Sequence, residues 1–584
     1  MPACSKHSVY FRACCSVFNA NYGDILMSLD NPKTLLRRLR FAILFAAILA
    51  IMGQAGSSLA EVKCTGACQD MGNNLLSGFG KLLSSSEGQA LLEANLKTEE
   101  HIYINSTQSR KIIAAEDALI TYVPQNILIH AFPTNPNFFH SAAGIPVTAG
   151  LPDHVTNAVQ SIAFTNIPLP LQEYLGLTFN IYGKAYIPKN LMINKQGDPR
   201  PFQVSTAIKS NPFTEVNSSL LARQIQQDGV IIGADRSPEN WTKLTGVAAF
   251  PSGHSTYGNT TALFYAILMP GYYQQLAQAG LDFNYSRNVF GVHYPLDTIG
   301  GRISAMYIIA EMLAGNPLYS RQSFTMADIP LLSQTMQNYL GGGSSPYAAL
   351  CAGKVATYSV IPSAADYARA RQNYTDLLTY GLPSVGDTTL PPIVPSNAWR
   401  LIATRFPYLN TAQLNEVLAT TELSSGVPLD NGTGWVRLNL YAAAGGYGIL
   451  RKNVAVNMNG ALGGLNAFDI WSNNISGPGS LTKQGSGTLI LAGSNSYTGG
   501  TDVRGGTLVI TGTLGGKLVI SPGATVINTG RIEGDVNNSG SFTNHGVVTG
   551  HVSTLNTGPL SPQPSFGRIP GTFIFSTSRS FCKE

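Results

Sequence analysis

The sequence predicts a multidomain protein in which an all-α helical bundle is followed by a short β-solenoid. The chain has 584 residues, several times the length of an ordinary domain, so we expect more than one domain. Apolar residues recur at three- and four-residue spacing from about residue 70 to 340, which is the period of helices with a buried face. Short β-branched runs separated by glycine and asparagine follow after about residue 470, and such runs are typical of stacked strands.

The composition restricts the classes of protein to consider. Only 12% of the residues are charged, about half the share of an ordinary soluble domain, which argues against a charge-rich disordered chain or a coiled coil. The formal net charge is +5, and most of this excess lies in residues 1–60. The rest of the chain lacks the basic excess that nucleic-acid binding needs, so we expect no nucleic-acid partner.

Residues 1–60 have the pattern of an N-terminal leader with a signal peptide. Arginines within residues 37–40 precede an apolar run at 41–52, and the small residues Ser58 and Ala60 suit a cleavage site. The run is shorter than the ~20 residues that a spanning helix needs, although an uncleaved anchor is the alternative. We therefore expect an exported protein that is periplasmic, displayed on the cell surface or secreted.

Shifts in composition divide the chain further. A glycine- and serine-rich stretch at 341–346 marks a boundary, and the glycine-rich repeats begin about 130 residues later. The predicted segments are the leader at 1–60, an α-helical domain at 61–345, a mixed helical and loop extension at 346–470, a β-solenoid at 471–560 and a tail at 561–584.

The segment after residue 470 contains a repeat. Gly-Thr-Leu at 487–489 recurs at 506–508, a step of 19 residues. A regular step of this length predicts a solenoid in which each coil buries its inner side chains against the next. A flexible glycine- and serine-rich linker is the alternative, and the β-branched content argues against it.

Residues 481–515 resemble the autotransporter-associated β-strand repeat of secreted bacterial passenger domains. Complete autotransporters continue into a membrane β-barrel. The resemblance therefore implies an association with the outer membrane through a barrel that is missing from this chain or separate from it. A truncated chain, a shifted reading frame in the tail and release without an anchor are the alternatives.

His293 and Asp297 are the first candidates for chemistry. They are four residues apart, so on a helical turn they lie on one face. A carboxylate beside an imidazole fixes its tautomer, which leaves the other ring nitrogen available as a nucleophile. A His–Asp pair on a helix surface is the alternative interpretation of this spacing taken alone.

Ser252, Gly253 and His254 precede a clear helical pattern. Ser252 suits the N-cap, and Gly253 lets a ligand approach the backbone closely. A helix start of this kind attracts anions, and His254 beside it can protonate a leaving group. An ordinary helix start that happens to include a histidine is the alternative.

Arg200 and Arg287 complete the candidate site. Their guanidinium groups can bind phosphate oxygens bidentately, although either arginine alone has the pattern of a surface or structural residue. The order Arg-Pro, then Pro-Ser-Gly-His, then Ser-Arg with a histidine six and an aspartate ten residues after that arginine is far more specific than any one segment.

Residues 110–315 resemble the type 2 phosphatidic acid phosphatase superfamily, which includes the bacterial class A non-specific acid phosphatases and the vanadium haloperoxidases. The resemblance implies an all-α fold in which His293 attacks phosphorus to form a phosphohistidine and Asp297 orients it. His254 would protonate the leaving oxygen. The phosphate-binding residues that the resemblance implies are Arg200, Arg287, Ser252, Gly253 and Lys195.

One position departs from the pattern of the family. The family has a lysine seven residues before the motif arginine, and this sequence has Ile193 there. Lys195 and Lys189 are the candidates to replace it, and we favour Lys195. The departure puts the complete phosphate clamp in question.

The resemblance implies a secreted, metal-independent acid phosphatase that needs no cofactor and acts on a small phosphomonoester. A vanadate-dependent haloperoxidase is an alternative because the same site can hold vanadate. A lipid phosphatase is a second, although such members usually bring several spanning helices. An inactive surface passenger protein is a third.

Overall fold

The computed structural model describes the chain in separate stretches, with helices in the first part and a parallel β-solenoid in the last. All of them belong to one compact unit, Lys63–Glu584, and the predicted leader and tail lie outside the described residues. Among the helices of these stretches, none combines the length and hydrophobicity that a membrane span requires. The described stretches are residues 70–71, 75–119, 123–131, 198–228, 244, 248–319, 324–340 and 363–554.

Fourteen α-helices lie in the described residues and confirm the predicted helical class. They are α1 (Ser77–Lys81), α2 (Ser86–Asn105), α3 (Gln108–Leu119), α4 (Val123–Ala131), α5 (Pro201–Val204), α6 (Ser218–Asp228), α7 (Gly253–Leu268), α8 (Tyr273–Val289), α9 (Pro295–Leu313), α10 (Ile329–Leu340), α11 (Ala364–Thr379), α12 (Thr411–Thr421), α13 (Leu440–Ala444) and α14 (Gly464–Ala467). Short 3-10 helices span Leu82–Ser84, Pro212–Glu215, Pro270–Tyr272, Met326–Asp328, Ala398–Ile402, Trp435–Arg437 and Gly460–Leu462.

Helices α7, α8 and α9 form the centre of the helical region. α7 packs along both α8 and α9, and α8 also contacts α2, α3 and α4. The three central helices are buried on most of their circumference, with apolar side chains such as Phe264, Leu276 and Ile303 in the core, as expected for helices surrounded by others. Because of this packing, residues 290–294, which connect α8 to α9, are all buried.

Residues 363–450 pack against the same helices and share one continuous hydrophobic core with them. Arg302 of α9 is 2% exposed, and its guanidinium donates to the carbonyl oxygens of Leu438 at 3.2 Å and Val436 at 3.0 Å. A buried guanidinium is costly unless its N–H groups find acceptors. These hydrogen bonds therefore fix the segment around Leu438 to the middle of α9.

The last part of the chain is a β-solenoid, as predicted. Its strands form three parallel sheets of six, five and four strands. Thr488 pairs with Thr507 in the next coil, so the 19-residue step between the two Gly-Thr-Leu repeats is one coil. The strands are β1 (Val454–Asn457), β2 (Phe468–Trp471), β3 (Leu481–Gln484), β4 (Thr488–Leu491), β5 (Ser494–Asn495), β6 (Thr501–Val503), β7 (Thr507–Ile510), β8 (Thr513–Leu514), β9 (Leu518–Ile520), β10 (Thr525–Asn528), β11 (Arg531–Ile532), β12 (Val536–Asn538), β13 (Ser541–Asn544), β14 (Val547–Val548) and β15 (Val552–Thr554).

The interior of the solenoid is mainly aliphatic. Leu489, Leu508 and Val526 occupy equivalent positions in successive coils, and all three are completely buried. Lys483 is a charged residue in this interior, and its buried ammonium donates to three backbone carbonyl oxygens at 2.9 to 3.3 Å. Burial lowers the pKa of Lys483 to about 8, and the carbonyl oxygens compensate the lost hydration.

Candidate active site

The three motif segments meet at the starts of α5, α7 and α9. Arg200 is the N-cap residue of α5, Ser252 is that of α7, and Asp297 lies in the first turn of α9. His293 lies in the buried loop before α9, and Arg287 lies in the last turn of α8. The first N–H groups of a helix have no acceptors within that helix, so a site between helix starts favours negative charge.

His293 and Asp297, which the sequence places four residues apart, are in direct contact. His293 Nδ1 and Asp297 Oδ2 lie 3.2 Å apart, and the residues are 3% and 0% exposed. The backbone N–H of Tyr294 donates to the same Oδ2 over 2.8 Å, which holds the carboxylate toward the ring. A proton on Nδ1 that faces this carboxylate leaves Nε2 with its lone pair.

Arg200 reaches across the site to the other ring nitrogen. Its Nη1 lies 2.9 Å from His293 Nε2 and 3.2 Å from Nδ1, and it donates to the carbonyl oxygen of Val292 over 3.0 Å. The backbone N–H of Arg200 donates to Gln203 Oε1 over 2.8 Å, so the start of α5 is fixed. The guanidinium is therefore placed where an anion that approaches Nε2 would meet it.

The helix start at Ser252 is hydrogen-bonded to the backbone of Asp297. Ser252 Oγ accepts from the backbone N–H of Ser255 over 3.2 Å, and the backbone N–H of Ser252 donates to the carbonyl oxygen of Asp297 over 2.9 Å. Gly253 and His254 then form the first turn of α7. This arrangement presents the positive end of α7 beside the His–Asp pair.

Gly301 explains how α9 comes so close to this helix start. A Cβ on Gly301 would lie 2.7 Å from the carbonyl oxygen of Ser252 and 2.7 Å from Ser255 Cβ. Real Cβ atoms do not approach other atoms so closely, so the contact requires glycine. Sequence reasoning missed this role, and the Gly300–Gly301 pair within an otherwise helical run was the available signal.

Arg287 and His254 contribute positive charge from two further directions. The Arg287 guanidinium lies 5.0 Å from the centre of the Phe283 ring, and its Nη2 donates to the carbonyl oxygen of Ala114 over 3.4 Å. Arg287 is buried, whereas His254 is half-buried. His254 is therefore the more accessible of the two residues, as a proton donor to a leaving group needs to be.

Glu99 and Asn288 form hydrogen bonds that hold the loop at residues 290–294, and sequence reasoning missed both. The side-chain amide of Asn288 donates to Glu99 Oε2 over 3.0 Å and to the carbonyl oxygen of His293 over 2.8 Å. Glu99 lies in α2 and is completely buried. Asn288 stood inside the third motif, but nothing in the sequence of α2 indicated that Glu99 would lie beside it.

Burial dominates the protonation of the site. It lowers the pKa of His293 well below its ordinary value. The positive charges of Arg200, His254 and Arg287 act in the same direction. Burial raises the pKa of Asp297, and the hydrogen bond from the Tyr294 N–H and the charge of Arg200 oppose this shift. The imidazole is therefore neutral near neutral pH, which is the form in which a ring nitrogen can attack phosphorus.

The remaining predicted ligand lies outside the described residues. Lys195, the alternative Lys189 and the departing Ile193 all precede residue 198, where the described segment begins. The structure thus brings seven of the eight predicted site residues together, namely His293, His254, Asp297, Arg200, Arg287, Ser252 and Gly253.

Comparison with known proteins identifies two segments. Residues 177–317 match the model of the PAP2 superfamily, and residues 481–510 match that of the passenger-associated-transport-repeat. The first match contains the candidate site residues from Arg200 to Asp297. The second spans β3 to β7 of the solenoid.

The chain is similar to secreted or autotransported bacterial proteins and to an acid phosphatase. The chain is 34% identical over 163 residues to an extracellular serine protease of Serratia marcescens, covering 22% of this chain and 15% of that protein. It is 31% identical over 162 residues to the Neisserial autotransporter lipoprotein NalP of Neisseria meningitidis, covering 26% and 14%. It is 37% identical over 65 residues to a non-specific acid phosphatase of Salmonella typhimurium, covering 11% and 26%.

The chain spans about a quarter or less of the length of each of these relatives. The PAP2 match covers the central helices that carry the candidate site. The repeat match covers coils of the solenoid. The protein carries a PAP2 superfamily domain at residues 177–317, followed by a passenger-associated transport repeat at residues 481–510.

Proposed function

We propose that the protein is an exported, metal-independent acid phosphatase that hydrolyses small phosphomonoesters through a phosphohistidine. The observation that carries this proposal is the arrangement around one buried imidazole. Asp297 lies at Nδ1 of His293, and Arg200 lies at Nε2. A neutral imidazole with a carboxylate on one nitrogen and a phosphate-binding group beside the other suits in-line attack on phosphorus.

In the first step, Nε2 of His293 attacks phosphorus. An N–P bond forms while the bond from phosphorus to the ester oxygen breaks, and His254 gives its proton to the departing oxygen. The imidazole becomes cationic in this step. The carboxylate of Asp297, 3.2 Å from Nδ1, stabilises that charge and holds the ring in place.

In the second step, water attacks the phosphorus of the phosphohistidine. His254, now neutral, takes a proton from this water while the N–P bond breaks. Inorganic phosphate leaves, and both histidines return to their starting states. His254 must therefore be protonated when the cycle starts while His293 must be neutral, which favours mildly acidic pH.

Charge stabilisation comes from groups that are in place before the substrate binds. The guanidinium groups of Arg200 and Arg287 and the first turn of α7 at Ser252 and Gly253 would hold the phosphoryl oxygens. Lys195, which lies outside the described residues, is the further ligand that we propose. Fixed donors of this kind stabilise the charge that shifts in the transition state. No step in this scheme requires a metal ion.

Export belongs to the same proposal. The passenger-associated transport repeat at 481–510 and the likeness to autotransporters of Gram-negative bacteria support it. The phosphatase would then act at the cell surface or outside the cell, where its substrates would be small soluble phosphomonoesters.

Hydrolysis of p-nitrophenyl phosphate by the purified full chain tests the function. We expect turnover between about pH 5 and pH 7, where histidines titrate, which survives excess EDTA and is inhibited by vanadate. The His293→Ala variant should lose turnover, whereas His551→Ala, at an exposed site in the solenoid, should keep it. A fully active His293→Ala variant would contradict the mechanism. A folded but inactive wild-type chain that oxidises bromide once vanadate and peroxide are added would instead identify a haloperoxidase.

A further inference from the structure

Asp198 is a buried carboxyl group for which the phosphatase scheme has no role. It lies two residues before Arg200 and is 2% exposed. Its backbone carbonyl oxygen accepts from the N–H of Ala249 over 2.8 Å, which ties it to the segment that leads into α7. An aspartate is rarely buried to this extent without a partner.

The carboxyl group of Asp297 is the partner that the packing offers to Asp198. Both residues are buried, and both are tied to the segment around the start of α7, since the Ala249 N–H donates to the Asp198 carbonyl oxygen over 2.8 Å and the Ser252 N–H donates to that of Asp297 over 2.9 Å. Each carboxyl group also shifts the pKa of the other through a side-chain hydrogen bond. Neither oxygen of Asp198, nor Asp297 Oδ1, receives an N–H or hydroxyl donor within the described residues. The other oxygen, Asp297 Oδ2, faces the Tyr294 N–H and the ring of His293. Two ionised carboxylates are acceptors only, so they hydrogen-bond to each other only when one of them carries a proton.

We propose that Asp198 is a positioning residue that keeps its proton and donates it to Asp297 Oδ1, thereby holding the ionised Asp297 against His293. This proposal rests on the proposed role of His293 as the nucleophile. No covalent bond changes, because the proton stays between the two carboxyl groups throughout the cycle. Asp198 would act on the reaction only through Asp297.

The surroundings of the pair assign the proton to Asp198. Asp297 Oδ2 accepts a hydrogen bond from the backbone N–H of Tyr294 over 2.8 Å and faces the ring of His293. These contacts stabilise the ionised form of Asp297. Arg200 is the cation that acts on both carboxyl groups. Glu99 and the Tyr294 hydroxyl are the other titratable groups that face the pair, and neither supplies positive charge.

The pair predicts a specific dependence on pH. Burial and the charge of Asp297 raise the pKa of Asp198 well above its ordinary value. When Asp198 finally ionises, two negative charges face each other and the hydrogen bond to Oδ1 is lost. The activity should therefore decline on the alkaline side as Asp198 loses its proton, in addition to any effect of His254.

Two substitutions of Asp198 test whether its side chain donates a proton to Asp297 or only fills space. The amide of Asp198→Asn can still donate to Asp297 Oδ1 and cannot ionise, whereas Asp198→Ala removes the donor. On the full chain, we expect Asp198→Asn to stay within about threefold of the wild-type kcat at acidic pH and to extend activity to higher pH. We expect Asp198→Ala to lose about tenfold to a hundredfold in kcat with little change in KM, the usual effect of losing a hydrogen bond to a charged group. Asp376→Asn and Asp376→Ala, at an exposed position of α11, are the matched controls.

A second measurement does not depend on turnover. The infrared spectrum of the wild type above the pKa of exposed carboxyl groups should show the carbonyl stretch of buried, protonated acids. Burial also raises the pKa of Glu99, so the measurement is the difference spectrum between wild type and Asp198→Asn, in which one such band should be lost. A difference spectrum without a lost band, or an Asp198→Asn variant as impaired as Asp198→Ala, overturns the proposal. A band in a protein without phosphatase activity would leave the carboxyl pair standing and refute the proposed function alone.

Discussion

The backbone N–H of Ser252 donates a hydrogen bond to the carbonyl oxygen of Asp297 over 2.9 Å. One hydrogen bond thus connects the residue that caps α7 with the residue that supports His293. The two parts of the site are far apart along the chain but cannot move independently. This rigidity is what a phosphoryl-transfer site needs, because catalysis there depends on positioning and fixed charge.

Substitution of His254 should affect poor leaving groups most. If His254 protonates the departing oxygen, His254→Ala should lower kcat by about a hundredfold or more for an alkyl phosphate. The loss should be much smaller for p-nitrophenyl phosphate, since p-nitrophenolate leaves without a proton. Steady-state kinetics with both substrates measure the ratio, and equal losses would argue against this role.

Replacement of Arg200 by lysine should impair activity although the charge is kept. Lysine offers a point charge in place of a planar fork, so Arg200→Lys should lower kcat by about a hundredfold and weaken inhibition by inorganic phosphate. Arg369→Lys, at an exposed position of α11, is the matched control. A variant with wild-type phosphate affinity would show that Arg200 does not bind the phosphoryl group.

The Gly301→Ala substitution should damage both stability and activity. Its methyl group would collide with the Ser252 carbonyl at 2.7 Å, and overpacking of this kind costs about 1 to 3 kcal/mol. The displaced helix start should also raise KM. Gly78→Ala is the control, because the atoms nearest to its added Cβ lie 3.5 Å away. Urea unfolding and kinetics on both variants test the expectation, and a harmless Gly301→Ala would disprove the close approach.

Ionisation of Asp198 should reduce the stability of the fold. Burial and the charge of Asp297 raise the pKa of Asp198 well above its ordinary value of 3.8, so the folded protein keeps a proton that the unfolded chain releases. This contribution is fully present below about pH 4 and is lost as the pH rises through the raised pKa of the folded state. The free energy of unfolding of the wild type minus that of Asp198→Asn should therefore fall as the pH rises. Urea titrations at several pH values measure it, and a difference that rises with pH would have the wrong sign.

The Lys483→Met substitution should destabilise the solenoid without affecting the candidate site. It leaves three carbonyl oxygens without the ammonium that they bind, which should destabilise the coils by about 1 to 3 kcal/mol. Phosphatase activity should not change, because Lys483 lies outside the helical region. Hydrogen exchange of the solenoid amides measures the stability of the coils, and kcat of the same sample measures the activity. Unaltered hydrogen exchange would contradict the expected loss of stability.

The local parts of the structure could be predicted from the sequence. The four-residue spacing of His293 and Asp297 is a property of one helical turn, and the step between repeats fixes the pairing of Thr488 with Thr507. Both depend on residues close together in the chain or on a repeated period. The parallel class of the solenoid followed from the same period.

The contacts between distant segments could not be predicted. Glu99 meets Asn288 across 189 positions of sequence, and no spacing rule connects them. The approach of Gly301 to Ser252 and the pairing of Asp198 with Asp297 likewise depend on how whole helices pack. A single sequence shows the residue types but not which of them the core brings together.

The hydrogen bonds from Arg302 to the carbonyls of Val436 and Leu438 limit where the protein can be cut without disturbing the candidate site. Arg302 lies on the same helix as Asp297. A protease that severed the chain and removed Leu438 would leave a buried cation without its acceptors, next to the site. Release of the proposed phosphatase from a cell surface would therefore require a cut beyond Leu438. The smallest active fragment should be larger than the matched family segment, which ends at residue 317.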